Sequence, residues 1–148
     1  MCEYSNVDSS MTLNEAIGQL RLSEGDNDAT ERMSGTTSKA FEQHDAVHVV
    51  FGCGTSIQDE IAVHVWMLFA TTANMSEMHR AVASQEHRNV LNGIGHLKLA
   101  SVWIGSLPRV LSIIFKSLRM KKRLAVKDLS KLKEQSILEI RQEYGIVL

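Results

Sequence analysis

Apolar positions recur at three- and four-residue spacing through most of this chain, the signature of helices with one buried face. The first such segment is 12–22, where Leu13, Ala16, Ile17 and Leu20 make one stripe and Thr12 with Glu15 fits a capping box. Residues 23–38 break the pattern with Ser, Gly, Asp, Asn and Thr, and read as a long mobile loop. Helical spacing then returns over 39–51, 56–72, 75–91, 97–105, 107–124, 126–132 and 134–144. Gly52, Gly54, Gly93 and Gly95 punctuate these segments. Alternation of the strand type is absent apart from a short β-branched run at 48–51. The pattern predicts an all-α fold, a compact multi-helix domain spanning 1–148 as one unit.

Composition sharpens this picture. A hydrophobic fraction of 44% with 22% charged residues is that of a globular domain, and excludes a disordered or collagen-like chain. Cys2 and Cys53 have no CxxC spacing and no disulfide framework, which points to a reducing, cytoplasmic setting. Residues 1–10 are polar and no run of 18 apolar residues occurs, so neither a signal peptide nor a membrane span is expected. The net charge of −1 conceals an asymmetry: 1–43 carries −5, 44–108 carries −2 and 109–148 carries +6. Such a basic end suits a local anionic partner.

The candidate chemistry lies between Phe41 and His64. His44 and His48 are four residues apart and share one face of a helix, with Asp45 about 100° round from His44. If residues 52–55 turn the chain tightly at Gly54, an antiparallel helical hairpin sets His48 level with Glu60 and His44 level with His64. Two imidazoles and one or two carboxylates then converge. That donor set suits Zn²⁺, or Fe²⁺ in a two-His-one-carboxylate arrangement. A helical HxxxH pair also occurs as an ordinary hydrogen-bonded pair, and the two readings differ in whether a metal is bound. His64 is an additional ligand by this count, or a neighbour that donates to Glu60 or Asp45.

His44-Asp45-x-x-His48, eleven residues, then Glu60 resembles the signature of the coenzyme Q (ubiquinone) biosynthesis protein 4 family. The likeness extends to the apolar helix around Trp66, to Lys122-Arg123-Leu124 with Asp128, and to Ile140-Arg141-x-x-Tyr144-Gly145-Ile146. The resemblance implies a divalent metal, zinc first and iron or another transition metal next, bound through His44, Asp45, His48 and Glu60. It also implies an apolar cavity for a polyprenyl lipid or quinone precursor. The implied chemistry is removal of the ring carboxylate of a polyprenylated hydroxybenzoate, coupled to hydroxylation at that carbon, with Asp45 or Glu60 as proton acceptor. Two other classes fit parts of the pattern: an HD-type metal phosphohydrolase, and a non-catalytic prenyl-lipid-binding or scaffold module. No His precedes His44, which counts against the phosphohydrolase.

The segment 109–127 is basic and amphipathic. At 100° per residue Lys116, Arg119 and Arg123 lie to one side of Arg109, opposite Val110, Leu111, Ile114, Phe115 and Leu118. This predicts an apolar arc on the core and a basic stripe facing out, through which Arg109, Lys116, Arg119 and Arg123 would meet an anionic membrane surface. A cytoplasmic position, peripheral to the membrane, is expected; a homo-oligomer or a biosynthetic complex is a further expected partner, which this segment does not itself imply. Aromatic residues do not interleave with the basic ones, so nucleic acid is not an expected partner.

Overall fold

The computed structural model describes residues 8–24, 35–74, 76 and 96–148. Five α-helices lie among them: α1 (Leu13–Glu24), α2 (Gly35–Val50), α3 (Ile57–Ala70), α4 (His96–Arg119) and α5 (Ile137–Tyr144). A 3₁₀ turn, Val126–Lys131, precedes α5. The fold is all-α. The helix expected over 75–91 lies outside the described residues, apart from a single helical position at Ser76.

Local chemistry explains the helix ends. Thr12 and Glu15 form the expected box: the Thr12 amide donates to Glu15 Oε2 at 2.9 Å, and the Glu15 amide to Thr12 Oγ1 at 3.3 Å. Ser136 and Glu139 repeat it at the start of α5. The two capped ends are stitched together, because Leu13 N–H donates to the Gln135 carbonyl and Ile137 N–H to the Met11 carbonyl. Gly145 closes α5 at φ +70°, a left-handed conformation that favours glycine. Leu13, Ala16, Ile17 and Leu20 are all buried, as the stripe predicts. They join Val47, Val50, Phe51, Val63, Trp66, Met67, Leu124, Ile137 and Ile140 in one core.

Three features differ from expectation. Helix α2 starts at Gly35, inside the stretch read as a loop, so Ser38 and its neighbours are helical. The segments expected at 97–105 and 107–124 merge into one helix, His96–Arg119, which runs through Pro108 and stops short of 124. Proline lacks the N–H that would bond the Ile104 carbonyl. Ile104 is exposed, so water can take that carbonyl and the helix continues.

The third difference is the orientation of α4. Its inward side carries Ser106 and Ile113, both buried, and Arg109, which reaches Asp59 of α3 at 2.5 Å. Leu111, Phe115 and Leu118, expected on the core, are exposed. Arg109, expected on the outside, is held inside by the buried Asp59 carboxylate. Burial tends to raise the Asp59 pKa, yet hydrogen bonds from Ser56 and Arg109 outweigh it and hold the group below its ordinary value. A charged pair therefore sets the rotation of α4, and its most apolar arc is left outside. By length and composition alone the segment Ala100–Arg119, of mean hydropathy 1.2, is long and apolar enough to cross a bilayer, unlike the expectation from the sequence.

Candidate metal centre

Helix α2 supplies His44 and His48, and α3 supplies Glu60. Between them Gly52, at φ +62°, lets the chain leave α2 sharply. Arg141 of α5 holds the end of α2, donating from Nε to the Val50 carbonyl at 2.8 Å and from Nη2 to the Val49 carbonyl at 3.3 Å. Ser56 starts α3, accepting from the Asp59 amide. Val47 and Val63 are fully buried and anchor the two helices, so the polar trio rests on a packed base.

His48 Nε2 lies 3.1 Å from Glu60 Oε1, and His44 Nε2 lies 3.3 Å from Glu60 Oε2. One carboxylate thus faces two imidazoles, one through each oxygen. Both histidines are buried, and Glu60 is about a third exposed, with 36% of its side chain accessible. His48 Nδ1 donates to the backbone carbonyls of Gly54 at 3.0 Å and Cys53 at 3.3 Å. Nδ1 must therefore carry the proton, and Nε2 holds either a second proton or a metal. His44 Nε2 is buried without a hydrogen-bond partner, despite the nearby carboxylate. An orphaned nitrogen of this kind is costly unless something else binds it.

The three ligand atoms lie within 4.8 Å of one another, and the group can hold a metal ion. Tetrahedral zinc ligands at bond lengths of about 2.0–2.1 Å stand roughly 3.3–3.5 Å apart. The observed separations, 3.3 Å to one Glu60 oxygen and 3.1 Å to the other, lie at and just below that spacing. Two nitrogens and one carboxylate also leave a coordination position for an incoming oxygen.

Electrostatics agree with this geometry. Burial tends to raise the Glu60 pKa, but the two imidazoles that face its oxygens, His44 and His48, overcome it, and the carboxyl sits well below the ordinary range. Burial tends to lower the His48 pKa; Glu60 and the Cys53 carbonyl outweigh it, and the net direction is upward. Without a metal, these directions favour an ion pair between the buried His48 and the partly exposed Glu60.

The remaining expected residues are placed differently. Asp45 accepts from Arg21 Nε of α1 at 2.7 Å and stands outside the three-ligand group. His64 Nδ1 donates to the Glu60 carbonyl at 2.7 Å, and its ring centroid lies 5.8 Å from that of His44. It is half-buried beside the trio and is not one of its three members. The sequence reading missed the Cys53 and Gly54 carbonyls that orient His48. The Gly52-Cys53-Gly54 turn, four to six residues beyond His48, was the only signal for them. It also missed Arg141 as the clamp on α2, because nothing in a single sequence pairs residues 91 apart. No family model, curated protein or solved structure matches this chain.

Proposed function

We propose that the protein binds a divalent transition metal, zinc before iron, at His44, His48 and Glu60, and acts in prenylquinone biosynthesis. The observation that carries the metal is the convergence of His44, His48 and Glu60, with the buried His44 nitrogen close to the carboxylate yet making no hydrogen bond. Resemblance of the His44-to-Glu60 motif and of the Lys122–Ile146 region supports the lipid and the ring chemistry. The substrate class is a polyprenylated hydroxybenzoate, whose carboxylate leaves as carbon dioxide while a hydroxyl takes its place on the ring, a two-electron oxidation in which dioxygen is the oxidant and is reduced to hydrogen peroxide.

When bound, the metal supplies Lewis-acid stabilisation of a carboxylate or phenolate oxygen. The chain's own residues do the rest. The Cys53 and Gly54 carbonyls fix the His48 tautomer and ring plane. Glu60 balances the charge of the centre through both oxygens. His64, bonded to the Glu60 backbone, stands beside the centre as a candidate proton carrier for the ligand.

Elemental analysis of protein never exposed to a metal-affinity column tests the metal. About one equivalent is expected in the parent and none in His48→Ala. A parent that is metal-free and takes up neither zinc nor iron would overturn the site. Native mass spectrometry tests the lipid, with a co-purifying polyprenyl species expected. Carbon dioxide release from a polyprenylated hydroxybenzoate, with dioxygen supplied, tests the chemistry. Lipid binding without turnover would assign the chain as a prenyl-lipid presenter.

A further inference from the structure

Among the described residues, the most unusual surface is the outer face of α4. Ile104, Leu107, Leu111, Phe115 and Leu118 are each at least half exposed, and Phe115 is 66% accessible. At 100° per residue they fall within about 80° of arc and run along roughly 20 Å of helix. Ser106, Arg109, Ile113 and Met120 occupy the opposite side, where α4 meets α3 and the core. A contiguous apolar stripe of this size marks an interaction surface.

Charge identifies the partner. Residues 96–127 contain eight Lys and Arg and no Asp or Glu. Arg119, exposed, flanks the stripe on one side, and Trp103, 51% accessible, flanks it on the other near the opposite end. Lys121 and Lys127 add exposed positive charge past the helix C-terminus. Packing a second copy of α4 against the first, in either direction, would bring only cations together across the contact. An anionic lipid surface matches both the stripe and its rim: acyl chains take the aliphatic residues, headgroups take Arg119, and the indole sits at the boundary. Crossing the bilayer does not fit. The middle of α4 holds Arg109 in an ion pair with Asp59, and its inner face is committed to α3.

We infer that α4 is an interfacial helix that lies in the plane of an anionic membrane, with Ile104, Leu107, Leu111, Phe115 and Leu118 sunk into the lipid. The contact is the apolar face, with the cations at its rim. It does not depend on the metal, and it survives if the metal reading fails.

Flotation of the full chain with phosphatidylcholine vesicles, with and without phosphatidylglycerol, tests it. Binding is expected to the phosphatidylglycerol vesicles and to weaken with salt. Leu111→Ser and Phe115→Ser, at exposed positions, should each weaken binding about tenfold, the loss expected for one large side chain removed from lipid. Trp66 is buried against Phe51, so Trp103 is the indole that reports solvent contact. Its emission should shift to the blue on vesicle binding and be quenched by brominated lipid. Equal binding to both vesicle types, or unchanged binding by the two serine variants, would overturn the inference. So would a concentration-dependent dimer that hides Trp103 from acrylamide, which would assign the stripe to a second copy.

Discussion

Asp45 shows how far a single residue can be read from its neighbours in sequence. Next to His44 in an HDxxH motif, it resembles a ligand. In the fold it belongs to α1, through Arg21, 24 residues earlier. Helical spacing exposes which side chains share a face, so His44 and His48 were legible. The partner of a side chain pointing 100° away depends on which helix packs there, and that is a tertiary fact. Asp45→Asn should therefore leave zinc affinity within a few-fold of the parent in a chelator competition. It should lower stability by about 1–3 kcal/mol, because Arg21 loses its charged partner. Arg21 Nη2 is already buried without a hydrogen bond, which leaves it little to fall back on. A large loss of zinc affinity at unchanged stability would return Asp45 to the ligand set. His48→Gln should behave in the opposite sense. It should lose the metal by more than tenfold while Val47 and Val63 keep the helices packed.

Among the elements, helix existence was legible and helix orientation was not. The capping box at Thr12 was read from four adjacent residues and α1 begins there; the box at Ser136 was not read, and α5 begins at Ile137 rather than at the expected 134. The same reading found the apolar arc of α4 and put it on the core by default. An amphipathic pattern says which face is apolar but not what covers it. Here the Arg109–Asp59 pair, 50 residues apart, determines the rotation. The boxes make a prediction in pH. Hydrogen bonds from Thr12 and Ser136 hold the carboxyls of Glu15 and Glu139 below the ordinary glutamate value of 4.5. A lowered folded-state pKa means the stabilisation is present above that value and disappears as pH falls through the folded one. Thr12→Ala and Ser136→Ala should therefore lower the melting temperature by a few degrees at neutral pH. The difference from the parent should shrink below about pH 4, measured by circular dichroism.

At the scale of the whole molecule, α2 and α3 are joined by apolar packing beneath and by the His44, His48 and Glu60 trio above. What occupies the trio should set where on the pH axis the protein is most stable. Without metal, two shifts act together. Glu60 is depressed, so its contribution is present above the ordinary glutamate value and is lost as pH falls through the folded one. His48 is raised above its ordinary 6.5, so its contribution is full below that value and is lost as pH rises through the folded one. The ion pair alone thus favours a window between the two ordinary values, 4.5 and 6.5. A metal needs the opposite state of the histidines. It displaces the Nε2 proton, so its binding strengthens as pH rises and fails in acid. Saturating zinc at about 100 times its dissociation constant should add about 2.7 kcal/mol at neutral or higher pH. It should add little near pH 5, and so move the stability maximum upward. Thermal melts across pH, with zinc or with chelator, separate the two curves. In Glu60→Gln both the acid window and most of the zinc gain should go, because one carboxylate serves the ion pair and the metal alike. Curves that coincide with and without zinc at every pH would mean that the trio is an ion pair and nothing more.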